Sequence, residues 1–372
     1  MEVFNCRSPY IVSINEASTQ IETKLELFIW NFNETEPTTP TKVLQKTRFS
    51  DTQYINHYNI SPFVYDLILP YNINSSVYNV KYLTYYKDEG DTEFTYISTY
   101  NLLSVNGYSE YNEGVNAIKT TNEGALPLLN PDINRYINYY RAGASLYEPT
   151  IDIIFDFTVY DRYRITIEGG EYGNVTYIDA EDYDTDYAVS SFYMSAAGVP
   201  EVANGNDFII EYRYEGNYYV SIRYTLTPIC ETKYTPYILD FVNNWGGLQK
   251  ITLFKNSTKT IDVKGSDYNT NTFTSGYPNY DAQLGQKRIF NKNGTTTIKC
   301  NTGWIKEIEN ANIKDIMLSE YLYLRSADSD LSFAAAVTLK NSSMLMKTHL
   351  NEKVINYELE FEVANSIINN VV

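Results

Sequence analysis

The side chain that titrates nearest neutral pH is scarce in this chain of 372 residues: there are two histidines, His57 and His349. Neither has a second histidine or a cysteine close by in sequence. Neither therefore reads as part of a metal cluster or as the base of a nucleophilic triad. The three cysteines, Cys6, Cys230 and Cys300, are odd in number and far apart. That spacing makes no disulfide framework and no zinc site, and it points to synthesis in a reducing compartment. No G-x-S-x-G elbow, H-E-x-x-H helix or Walker A loop occurs. With 46 Asp and Glu, some carboxylates must fall at the separation used in glycoside hydrolysis by chance alone, so their number carries no signal.

Three stretches come closer to a site. Asp179, Glu181, Asp182, Asp184 and Asp186 form the densest acidic run. From Asp182 the D-x-D-x-D spacing starts like a calcium loop, but Tyr187 stands where glycine is needed and Tyr193 where the bidentate Glu belongs. The run reads as a solvated acidic loop, with calcium as the alternative. Glu168 to Val175, EGGEYGNV, has the glycines of a phosphate loop but lies between two strand-like runs, so it reads as a hairpin turn. The third stretch is YILDFVNNWGGLQKITLF, Tyr237 to Phe254. No helix follows its glycines, so the helix N-terminus that turns a glycine loop into an anion site is missing. Gly246 and Gly247 read as the turn of a hairpin that permits positive φ. Trp245 is then a plug of its own domain's core or an anchor between subunits, with the core plug favoured. No residue is assigned to catalysis, to a cofactor or to a metal; Trp245, Gly246 and Gly247 are the candidate anchor.

The elements that would carry these residues are mostly strands, because the apolar pattern has period two. Leu25, Leu27 and Ile29 share a face with Lys24 and Glu26 opposite. Tyr357, Leu359, Phe361 and Val363 face inward, with Glu358, Glu360 and Glu362 outward. Around Glu215-Gly216-Asn217 a hairpin is expected, with Tyr218, Val220, Ile222, Tyr224 and Leu226 lining one face. Helical signal is scarce. Ile305, Ile308, Ile313, Ile316 and Met317 give a rough stripe, and Asn130 with Pro131 would open a second short helix. The fold class expected is mainly β, several antiparallel sandwich-like domains with one or two short helices. Punctuation divides the chain into 1–105, a first sandwich; 106–149, an irregular connector or arm; 150–228, a second β domain with the acidic loop; and 229–372, a C-terminal β-rich assembly domain.

Net charge is −17, with no basic cluster in sequence, so neither a phosphate backbone nor an anionic membrane surface is an expected partner. The N-terminus shows no secretory signal pattern and no apolar run approaches a membrane span. The 37 tyrosines are the oddest figure. They suit strands and interfaces, and codon bias in an AT-rich genome is a competing source.

Several blocks together carry a resemblance. RSPYIVSI, LELFIWN and YNISPFVYDLI near the N-terminus, ETKYTPYILDFVNNWGGLQKITLFK, and then GQKRIFNKNGTTTIKCNTGWI, IMLSEYLYL and LNEKVINYELEFEVANSIINNVV resemble structural tail proteins of tailed phages and prophages of Bacteroidetes hosts. The likeness covers the two ends and roughly the last third; the middle, about 106–228, is not covered. It implies a virion component made in the bacterial cytoplasm: a baseplate, tail-hub, tail-tip or neck protein, whose partners are other copies of itself and other phage tail proteins. It carries over no catalytic residue. A host-receptor or carbohydrate-binding tail-fibre module, with exposed tyrosines stacked on a host surface glycan, is the alternative; a hydrolase carried on the tail has no feature in its favour.

Overall fold

The computed structural model describes residues 2–15, 20–48, 55–68, 76–119, 125–128, 136–140, 150–167, 175–182, 187–193, 206–229, 233–270, 285–326, 335–346, 355–365 and 367–368. The fold is mainly β, built from several sheets with two α-helices among the described residues. The chain forms two compact units. Unit 1 is Met1–Cys230, Asp240–Ile251 and Ala311–Glu320; unit 2 is Glu231–Leu239, Thr252–Asn310 and Tyr321–Val372.

Unit 1 begins with β1 (Glu2–Asn5), β2 (Ile11–Asn15), β3 (Gln20–Asn31), β4 (Lys42–Thr47), β5 (Ile55–Asn59), β6 (Val77–Asp88), β7 (Thr95–Val105) and β8 (Ile118–Lys119). Six of them make a sheet in the order β4-β3-β6-β7-β1-β8, and β2 pairs with β5. The alternation read from sequence decides which face is buried: Leu25, Leu27 and Ile29 of β3 pack with Val80 and Tyr82 of β6. Opposite them lie Val12 and Ile14 of β2, Tyr58 of β5 and Val64 of the helix Ser61–Tyr65, giving a sandwich-like pair of layers. The Tyr58 hydroxyl enters this core only because it meets the buried Thr23, 2.7 Å from the Thr23 hydroxyl and 2.9 Å from the Thr23 carbonyl.

The next strands are β9 (Ala125–Pro127), β10 (Tyr136–Tyr140), β11 (Thr150–Asp156), β12 (Arg162–Ile167), β13 (Val175–Asp179), β14 (Tyr187–Tyr193), β15 (Asn206–Tyr214) and β16 (Asn217–Ile229). They form a three-stranded sheet, β14-β11-β9, and a five-stranded sheet, β10-β16-β15-β12-β13. Residues Ile151–Asp156 of β11 are buried without interruption, because both faces of the small sheet are covered. Ile151, Ile153 and Phe155 face Tyr163, Ile165, Phe208 and Tyr224 of the larger sheet. Ile154, with Tyr187 and Val189, faces Val3, Val77, Leu103 and Val105 of the first sheet. Those two cores run continuously across the punctuation at 105 and 149, which is why the first 230 residues fall in one compact unit.

Two expectations for this region need correction. Residues Tyr136–Tyr140 form a strand parallel to β16 where a helix opened by Asn130 and Pro131 was expected. Their run of aromatic and β-branched side chains favours an extended backbone once a neighbouring strand is present; Asn130 and Pro131 lie outside the described residues. The hairpin at Glu215-Gly216 is as expected, with both residues at positive φ (48° and 81°) as a tight two-residue turn requires. The face is not. A bulge places Ile210 opposite Ile222 and Glu211 opposite Val220, so Ser221 is extra and the side-chain phase flips. Tyr224 and Ile222 face the core, but beyond the bulge Tyr219 takes that side and stacks on Tyr212. Val220 is half exposed and Tyr218 lies under Arg164, 4.1 Å from ring centre to guanidinium carbon.

The last strands are β17 (Tyr237–Val242), β18 (Leu248–Leu253), β19 (Thr258–Asn269), β20 (Lys287–Asn301), β21 (Leu322–Ser326), β22 (Ala335–Leu339), β23 (Glu358–Val363) and β24 (Ile367–Ile368). Their sheet has the order β18-β17-β21-β22-β23-β20-β19, with β24 also on β20. In unit 2, Tyr357, Leu359 and Phe361 are buried, as the alternation predicts, and Glu358 is exposed. The helix Asn310–Leu318 is shorter than its sequence stripe. Ile313 and Ile316 are buried, whereas Ile308 is 48% exposed and Ile305 forms an isolated bridge with Ile355. No helix among the described residues is long and apolar enough to cross a membrane.

Candidate functional site

The hairpin tip Asn243–Gly247, between β17 and β18, gathers the candidate residues in unit 1. Asn243 is fully buried and organises it. Its side-chain oxygen accepts from the Trp245 and Gly247 backbone N–H groups at 2.9 and 3.1 Å. Its amide nitrogen donates to the Leu128 carbonyl at 2.7 Å and to Gln249 Oε1 at 3.1 Å. An asparagine is the short side chain that supplies two acceptor and two donor positions at once, and it closes a turn on its own backbone. Gln249 passes the connection on to Asn312 at 3.2 Å, on the helix Asn310–Leu318.

The two glycines do different jobs. Gly246 has φ +86°, and a Cβ there would stand 2.8 Å from the backbone nitrogens of Asn106 and Gly107. Gly247 is not in the left-handed region, but its Cβ would stand 2.7 Å from Leu128 Cβ and 2.8 Å from its carbonyl oxygen. So only Gly246 is needed for positive φ; Gly247 is needed for close approach. Trp245 is partly buried against the cluster of Val77, Leu103, Leu126 and Ile154. The Asn244 carbonyl accepts from the Tyr108 N–H at 2.9 Å.

Asp152 of β11 completes the pattern from below. It is 3% exposed, accepts from the Leu248 N–H at 2.9 Å and from the Ser191 hydroxyl at 2.6 Å. Burial pushes its carboxyl above the usual range, and the two hydrogen bonds and Lys250 offset part of that. The folded carboxyl therefore gives up its proton at a higher pH than the unfolded one, so its ionisation costs the folded state stability as pH rises above about 4. Asp152→Asn removes the titration and keeps the contacts if the amide nitrogen faces the rotatable Ser191 hydroxyl. Thermal melting of both proteins between pH 4 and pH 7 is expected to shift steadily in favour of the variant as pH rises. A pH-independent difference would contradict this.

An open cleft of about 370 Å³ in unit 1 is lined by Cys6, Arg7, Ser61, Tyr65 and Glu320, among others. Arg7 donates to the Leu318 carbonyl at 2.8 Å, lies 3.7 Å from Glu320 and sits over the Tyr108 ring. Ser61 donates to the Ser8 carbonyl at 2.6 Å and accepts from the Tyr10 N–H at 2.8 Å. Burial pushes the Cys6 thiol up to about 12, and that of Cys300 likewise, the reverse of what a nucleophilic thiolate needs. His57 meets Ser13 at 2.8 Å, a pair the sequence reading did not find; the two stand opposite each other on β2 and β5, as cross-strand polar neighbours do.

Of the acidic run, Asp179 is held by Arg162 at 2.9 Å, and Ala180–Asp182 make one 3₁₀ turn with Glu181 and Asp182 exposed. Asp184 and Asp186 lie outside the described residues, as do Cys230, His349 and most of Glu168–Val175. Among the described residues no group of three His, Cys, Asp or Glu side chains could hold a metal ion. No protein-family model matches the chain, and no curated protein matches it.

Proposed function

We propose that this protein is a structural component of a tailed-phage virion, in the tail or baseplate, that acts by docking to further copies of itself and to other tail proteins. The observation that carries the reading is the ribbon of β19 and β20. All 12 residues of β19 are exposed, on both faces, and β19 is the outermost strand of its sheet. Strand β20 pairs with β23 from Thr297 to Asn301, with Thr297, Ile298 and Cys300 buried. Before Asn293, however, the ribbon's strands pair among the described residues only with each other, and a two-stranded ribbon of that kind is marginal by itself. An open edge is also a template for another chain, so in an assembly protein it becomes a contact. The polar hub at Asn243 supports the same reading, because it spends its hydrogen-bonding groups on fixing the backbone. The resemblance of the chain's ends to phage tail proteins supplies the setting. The experiment is analysis of purified particles from the phage or prophage that encodes the chain, by peptide mass spectrometry and by electron cryo-microscopy, with the protein expected in many copies per particle.

A further inference from the structure

We infer that copies of this chain join head to tail by β-strand addition, the β19–β20 ribbon of one copy lying along the open edge of β7 in the next. This rests on the assembly reading above only in taking a second copy as the partner.

The donor surface is cationic. Strands β19 and β20 together hold six basic residues, Lys259, Lys264, Lys287, Arg288, Lys292 and Lys299, against Asp262 and Asp267. The ribbon thus carries net +4 in a chain of net −17, which leaves −21 on the rest. Ile261 and Val263, two residues apart and so on one face, are 55% and 59% exposed.

The acceptor is the first half of β7. Strand β7 pairs with β6 from Thr95 to Val105, but with β1 only from Leu102 to Val105. Among the described residues nothing pairs with the other side of Thr95–Asn101. A bulge at Ile97 leaves Tyr100 on the face of Tyr82 and turns Tyr96 to the face of Tyr85, and Tyr96, Ile97 and Tyr100 are each 42–51% exposed. The turn leading into it holds Glu89, Asp91 and Glu93, all exposed. An open edge, exposed aromatics and negative charge therefore occur together on one side of unit 1, and an open edge, exposed aliphatics and positive charge on the ribbon of unit 2.

Strand β19 itself is balanced, Lys259 and Lys264 against Asp262 and Asp267, so the attraction to the acidic turn before β7 comes from the basic residues of β20, Arg288 and Lys292 among them. The contact uses two different surfaces, so it is heterologous: it closes into a ring if the rotation per copy divides a full turn, and otherwise grows as a filament.

A charge-swap experiment on the full chain tests this by sedimentation velocity over a concentration series. One variant carries Lys264→Glu, Arg288→Glu and Lys292→Glu; the other carries Glu89→Lys, Asp91→Lys and Glu93→Lys. The wild type is expected to self-associate, and each variant alone to do so at least about tenfold more weakly. An equimolar mixture of the two variants is expected to associate again, because each supplies the edge that the other's reversed edge fits. All six positions are exposed, so unchanged melting temperatures are expected; amide exchange on the wild type alone, slowed at 95–101 and 258–269 on concentration, reads the same contact without substitution. Variants that associate like the wild type, or a mixture that stays dissociated, overturn the pairing but leave self-assembly standing. A wild type monomeric at every concentration overturns both.

Discussion

Asn243→Ala is expected to be among the most damaging single substitutions in unit 1, lowering stability by about 4 kcal/mol. The side chain is fully buried and makes four hydrogen bonds, to Trp245, Gly247, Leu128 and Gln249. Alanine leaves two N–H donors and a carbonyl without their partner in a place water does not reach. Each such orphan costs roughly 1–3 kcal/mol, and the sum is less than additive because the turn relaxes. Against a total stability of about 5–15 kcal/mol, that loss is large. Asn243→Asp discriminates hydrogen bonding from size. It keeps the acceptor for the two N–H groups but sets an oxygen against the Leu128 carbonyl and Gln249 Oε1. Its carboxyl is then destabilised in the charged form, so Asn243→Asp should gain stability relative to wild type as pH falls through the carboxylate range. Urea denaturation of the three proteins at pH 7 and pH 4 measures both effects. An Asn243→Ala protein within about 1 kcal/mol of wild type would show that the hub is not what holds the turn.

Gly246→Ala is expected to cost about 2–5 kcal/mol, with Gly90→Ala as its control. Both glycines have positive φ, +86° and +92°. At Gly90 nothing lies within 4 Å of a new Cβ, so the variant pays backbone strain alone, about 1–2 kcal/mol. At Gly246 the Cβ would press on the Asn106 and Gly107 backbone nitrogens, atoms that cannot move without shifting their own strand end. Overpacking of that kind adds roughly 1–3 kcal/mol. The difference between the two unfolding free energies isolates the steric part. Equal losses would mean that the segment Asn106–Gly107 yields, and that the turn tolerates a wider spacing than its geometry suggests.

How much of this was legible in the sequence depended on whether the cause was local. The strand of Tyr357, Leu359 and Phe361 follows from period-two alternation, and the turn at Glu215-Gly216-Asn217 from a glycine between two alternating runs. Gly246 and Gly247 mark a turn for the same reason. The bulge at Ser221 was hidden, since one extra residue leaves composition unchanged while moving Tyr218 and Val220 off the core face. Nothing local marks Asn243, because its importance lies in Leu128, more than a hundred residues earlier. Asp152 looks like a surface carboxylate until both faces of β11 are covered. The ribbon is the reverse case: Ile261 and Val263 alternate with polar residues as in a half-buried strand, yet both faces of β19 are exposed. Alternation records a preference for a partner, and the sequence does not say whether that partner is in the same chain.

The proposed role, assembly within a phage particle, is tested most directly by imaging. If the proposal holds, the genome that carries this chain yields virions, and electron cryo-microscopy of them should show this fold repeated around or along the tail, with the β19–β20 ribbon of each copy buried against a neighbour. Virions whose density and peptide content lack the chain altogether would contradict the claim.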